Sequence, residues 1–245
     1  MKHIRKYLIQ ESKSGGFDPL EYSKRIVSLI TSYDFTSGEY IEIDKSEINE
    51  LDKMDIKVMA KKGSDPKVSL DSQFKRMSWE QLNIDEYGFA IDATMYIGKE
   101  RIIPEIAIYI LLSKSPNLKE LQFRLIDILY HEIKHVNQVG INREPINVHP
   151  GDNEDRKKAN KPVDYFHLIE EIEAIVYGMY NRSKAEGSNL DDLFYKYLTP
   201  YINNGNINIG ESEKVLNTWI SHALENYPDS KFSNSELTSE IIKNI

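Results

Sequence analysis

At 245 residues the chain can bury a substantial core without staples, and its complete lack of cysteine excludes disulfides, thiolate metal sites and a cysteine nucleophile. A formal net charge of -8 excludes general nucleic-acid binding, because neutralising phosphates takes a dense basic surface. The basic N-terminal stretch MKHIRKYLIQESKSGG has no apolar segment of a signal peptide, and no apolar run approaches membrane-spanning length, so a cytoplasmic protein with no membrane span is expected.

Asp18-Pro19 opens a helix whose stripe is Leu20, Ile26, Val27 and Ile30 and which ends before Ser37-Gly38. Tyr40 to Ile43 and Ile56 to Met59 alternate like short strands, and Lys61 to Pro66 is polar and turn-rich, as expected of a mobile loop. Phe89 to Ile97 and Arg101 to Leu112 form a hairpin pattern around Gly98-Lys99-Glu100. The second run is apolar on both faces, yet Pro104 cannot donate to a ladder, which predicts an edge strand to which an extended peptide could add.

Ser115-Pro116 then starts a helix to about Gln138, N-capped by the serine and stopped by Gly140. Leu118, Leu121, Leu125, Ile128, Leu129, Ile133 and Val136 recur at helical spacing, and Phe123, Ile126 and Tyr130 make other sides apolar as well, so the helix is predicted to be buried. Near its end stands His131-Glu132-Ile133-Lys134-His135. In a helix His131 and His135 lie one turn apart on one face and can share a single Zn²⁺, with Glu132 beside them. Zinc lowers the pKa of a water, and a carboxylate beside it can take that water's proton during attack on a carbonyl. Buried imidazoles next to a buried carboxylate are hard to account for without a metal.

Ile141 to Lys161 reads as a loop containing His149 and a charge cluster, long enough to be functional or mobile. Pro162 to about Lys184 is predicted as one helix, with Glu170, Glu171 and Glu173 as candidates for a third ligand. His167, Glu171, Ala174 and Gly178 make one stripe with small residues that admit a close neighbour, so Glu171 is the best-placed carboxylate; the alternative is that the acidic cluster is a solvated face. Gly187-Ser188-Asn189 breaks the helix, and helices follow at Leu190 to Leu198, Glu211 to Tyr227 and Glu236 to Asn244, with His222 as a packing or surface residue.

The spacing of His131, Glu132 and His135 from Glu171-Ile172-Glu173-Ala174 resembles the gluzincin branch of the zincin metallopeptidases, in which a downstream E-x-x-A helix gives the third zinc ligand. The resemblance covers the layout from Phe89 to Lys184 and implies zinc on His131, His135 and Glu171, with Glu132 as general base acting on a peptide or protein substrate. It departs from the branch at Ile175, where many members carry a carboxylate that orients a metal-bound histidine. The metzincin extension would need glycine and histidine where Gln138 and Ile141 stand, and peptide deformylases need a cysteine ligand. The combination is similar to proteases encoded by bacteria or their phages. For the group that stabilises the oxyanion the candidates are His149, Tyr165, His167 and Tyr177, with His167 favoured as donor or as a partner of the ligands by its place on the Glu171 stripe.

The expected fold is α+β: a small mixed or antiparallel sheet with an edge strand beside the H-E-x-x-H helix, then a helical C-terminal part, zincin-like. Its regions are 1–85 as an N-terminal α+β part, 86–186 as the catalytic core, and 187–245, expected to form one compact unit. The competing function is a zincin-fold binding or structural protein with little or no peptidase activity.

Overall fold

The computed structural model describes residues 18–32, 40–45, 55–62, 84–96, 105–139, 161–233, 235 and 238–239. The described residues form six helices and one four-stranded sheet, a mixed α+β chain in which helix predominates. It divides into two compact units, Met1–Ile128 and Leu129–Ile245, with the boundary inside the long helix α2.

In the first unit α1 (Pro19–Ser32) buries Tyr22, Ile26 and Ile30, close to the stripe expected from the sequence. The strands are β1 (Tyr40–Lys45), β2 (Asp55–Lys62), β3 (Phe89–Tyr96) and β4 (Glu105–Leu112), in the order β1-β2-β4-β3. β1 runs antiparallel to β2, β2 parallel to β4, and β3 antiparallel to β4, so the sheet is mixed. β2 continues through Lys62, so the expected loop beginning at Lys61 is shortened, and its remainder lies outside the described residues.

The expectation that the RIIPEIAIYILL run is an edge strand is overturned, because β4 is hydrogen-bonded on both sides. β4 begins at Glu105, one residue after Pro104, so every residue in its ladder keeps an N–H. The two-faced apolarity is the stronger signal: all eight residues are buried, as in a strand covered on both faces. Met59, Ala90, Ala107, Tyr109 and Leu111 pack as one cluster. Ile56, Val58, Ile106, Ile108 and Ile110 alternate with them and are equally buried.

The approach to α2 is pinned by the turn before β3. Ser113 N–H donates to the Gly88 carbonyl and Asn117 N–H to the Tyr87 carbonyl, each at 2.8 Å. Gly88 sits at φ 78°, and a Cβ there would lie 2.6 Å from Ser113 Oγ, so both conformation and space require glycine. α2 runs Leu118–Val139 and is capped by Asn117, whose Oδ1 accepts from Glu120 N–H at 3.1 Å. Ser115, the expected cap, instead uses its N–H on Ser113 Oγ within the loop.

The second unit holds α3 (Pro162–Tyr165), α4 (Ile169–Glu186), α5 (Leu190–Asn203) and α6 (Ile209–Asn226). Its core gathers Ile172, Ile175, Val176 and Met179 of α4, Leu193, Phe194 and Leu198 of α5, and Val215, Leu216, Trp219 and Ile220 of α6. The helix expected from Pro162 to Lys184 is therefore two helices, broken at Phe166 to Leu168. Phe166 is the cause. Its ring is buried edge-on against Trp219 and Tyr201, and its carbonyl accepts from Trp219 Nε1 at 3.2 Å. Leu168 then turns extended and α4 restarts. The glycine stop holds as read: Gly187 caps α4 at φ 74°, donating to the Ser183 carbonyl. α6 opens with a reciprocal cap between Asn208 and Glu211. The expected turn at Gly98, the loop through His149 and most of the helix at Glu236 to Asn244 lie outside the described residues.

Candidate metal centre

Helical periodicity brings His131 and His135 together near the end of α2. Their rings meet edge-on with centroids 4.6 Å apart and Nε2 atoms 3.0 Å apart. Glu171, on α4, enters from across the fold: its Oε1 is 3.5 Å from His135 Nε2 and its Oε2 is 3.7 Å from His131 Nε2. One ligand atom from each of the three lies within 4.8 Å of the others. Glu171 and His135 are buried, and His131 keeps 18% of its side chain exposed.

The break at Phe166 shapes this cluster. It makes Glu171 the third residue of α4, in the first turn, where the helix dipole favours a carboxylate. It also lets the Tyr165 hydroxyl donate to Glu171 Oε2. In an unbroken helix residues six apart point about 120° away from each other, and the tyrosine could not reach. Glu132, the expected base, follows His131 in sequence and is 7% exposed.

His167 is not in the cluster. It lies in the break, exposed, with Nδ1 bonded to the Val163 carbonyl at 2.9 Å. The stripe that was to carry it beside Glu171 does not exist, because α4 begins at Ile169. Of the other donor candidates, Tyr177 packs against Tyr130 and Tyr227, and burial raises its pKa; His149 lies outside the described residues. Tyr165 is the candidate whose hydroxyl touches a member of the cluster.

Gln138, which the sequence marks as the end of this helix, supports the centre. Its Oε1 faces His135 Nδ1 at 2.8 Å, and its Nε2 donates to the Glu170 carbonyl at 2.9 Å and to Glu173 Oε2 at 3.1 Å. Glu173 also meets Lys134 Nζ at 3.3 Å. Burial pushes the Glu173 carboxyl up, but the Gln138 hydrogen bond and the Lys134 ammonium prevail and hold it below its ordinary value. The sequence did carry a signal, since Gln138 stands three residues after His135 on the same helix face. Ile175, where an orienting carboxylate was missed, is a core residue 1% exposed, so a charge there would face the Trp219 cluster at a desolvation cost. The support for His135 therefore comes from α2 itself.

Two imidazole nitrogens and one carboxylate oxygen, drawn from two helices and largely buried, are a donor set that could hold a metal ion. No family model, no curated protein and no solved structure matches the chain.

Proposed function

We propose that the chain is a zinc-dependent metallopeptidase with a zincin-like core, in which His131, His135 and Glu171 hold the metal. The observation that supports this reading is the convergence of those three side chains, with ligand atoms within 4.8 Å, next to a buried Glu132 that a purely structural site would not need. Zinc, when bound, supplies Lewis acidity and a water of lowered pKa. With such an ion held by His131, His135 and Glu171, Glu132 would serve as the proton acceptor for an attacking water and as the proton donor to the leaving amine. Of the described donor candidates, the Tyr165 hydroxyl, which donates to Glu171, is the one placed to serve the developing oxyanion.

The test is metal analysis of purified protein together with peptide-library cleavage, with and without a chelator. Stoichiometric zinc and chelator-sensitive cleavage are expected; zinc without cleavage would assign a binding role instead. Glu132→Gln should retain zinc and lose turnover by about 10²- to 10⁴-fold, the range expected for a general acid–base group. His167→Phe should leave kcat unchanged at constant zinc occupancy, because its ring is engaged with Val163 on the surface. A fall of about 10²-fold would return the donor role to His167.

A further inference from the structure

We infer that Gln138 is the positioning residue of this centre, holding His135 in the tautomer that presents a bare Nε2 to a cation while its amide joins the last turn of α2 to α4. The inference rests on the metal-binding part of the proposed function. A glutamine amide has two chemically distinct ends, and which way it faces is decided by its partners. Here the Nε2 end meets two groups that only accept: the Glu170 carbonyl at 2.9 Å and Glu173 Oε2 at 3.1 Å. Turning the amide over would set its oxygen against both. The Oε1 end must therefore face His135 Nδ1, which lies 2.8 Å away, and since a carbonyl oxygen cannot donate, Nδ1 carries the proton. A neutral imidazole has one N–H, so His135 Nε2 is left with its lone pair, 3.0 Å from His131 Nε2 and 3.5 Å from Glu171 Oε1. It follows that His131 Nε2 is the donor in the contact between the two rings, and that His131 must change to its Nδ1–H tautomer when a cation takes Nε2.

Lys134 completes the device. It stands one turn before Gln138 on α2, and both side chains grip the same Glu173 carboxylate, at 3.3 and 3.1 Å. The Glu173 carboxylate is thereby held between the ammonium and the amide, and the amide stays oriented. A neutral amide anchored on α4 thus performs at His135 the orienting role usually given to a carboxylate.

Long-range ¹⁵N–¹H imidazole correlation spectra of the metal-free full chain at alkaline pH read the tautomer directly, and Zn²⁺ titration against a competing chelator reads affinity. His135 should be the Nδ1–H tautomer in the wild type. In Gln138→Leu the two tautomers should mix, and zinc affinity should fall about 10- to 100-fold. A general loss of helix packing would lower affinity without mixing the tautomers. An Nε2–H His135 in the wild type, a single unchanged tautomer in Gln138→Leu, or wild-type zinc affinity in Gln138→Leu each overturns the inference while leaving the metal reading intact. A wild-type chain that binds no zinc overturns the metal reading and the inference's functional sense together, even where the tautomer is as stated.

Discussion

Two buried carboxylates in the second unit sit in the first turns of successive helices, and their surroundings differ in kind. Asp191, at the start of α5, is fully buried and accepts from Ser233 N–H at 2.8 Å, from the Ser233 hydroxyl, and from the Thr238 hydroxyl at 2.7 Å. Every neighbour named there is a donor, and the result is a fastening that ties the chain beyond Lys231 to α5. Glu171, at the start of α4, is just as buried, but it faces two imidazole nitrogens and the Tyr165 hydroxyl. Imidazoles offer lone pairs as readily as protons. A carboxylate surrounded by donors stabilises the fold, whereas one grouped with potential metal ligands could hold a cation.

The sharpest way to break this contrast is Glu171→Gln, which removes the anionic ligand at nearly constant shape. Zinc affinity should fall by more than the roughly 100-fold typical of losing an outer partner. The melting temperature of the metal-free protein should change little, because glutamine is near in shape and keeps an acceptor for the Tyr165 hydroxyl. Glu170→Gln should leave zinc binding unchanged. Retained zinc in Glu171→Gln, measured by elemental analysis after dialysis, would reassign the ligand.

Asp191→Asn should do the reverse. Losing charge-assisted hydrogen bonds in a buried site costs about 2 kcal/mol. For a chain of this size that is a fall of roughly 4–8 °C in melting temperature. Zinc content should be unchanged. If instead Asp191→Asn emptied the metal site and left the melting curve in place, the two carboxylates would have been given each other's roles.

The smallest effect concerns His222 on α6, which stands between the two patterns. Burial pushes its pKa below the ordinary value, Glu173 and Glu225 oppose that shift, and Lys134 reinforces it. The unfolded chain therefore takes up this proton at a higher pH than the folded one does. The resulting contribution to stability is present above the ordinary histidine value of 6.5 and is lost as pH falls through it. His222→Asn should flatten the melting-temperature profile of the metal-free protein between neutral and mildly acidic pH. A steeper acidic decline in the variant would mean that the carboxylates dominate.

The sequence by itself determined what depends on neighbours along the chain. Spacing of three and four residues placed His131 and His135 on one face of one helix; the apolar positions around them predicted burial on most sides, whereas one face is buried, with Leu121, Leu125, Leu129, Glu132 and His135, and Phe123, Ile128 and Tyr130 are half-buried. The stop at Gly187 and the pairing of β3 with β4 were legible for the same reason, since both are local. Tertiary structure decided the rest. Pro104 suggested an edge, but the position of a strand in a sheet depends on which distant strand pairs with its other side, and β2 does. A stripe through His167 led to Glu171, yet α4 begins after His167 because Phe166 takes its place against Trp219, 53 residues further along the chain. The same long-range contact lets Tyr165 reach Glu171. Gln138 finds Glu173 at a separation of 35 residues. Periodicity fixes which residues share a face, but only packing fixes what that face meets, because the apolar contacts that choose between arrangements are spread over the whole core and belong to no single segment.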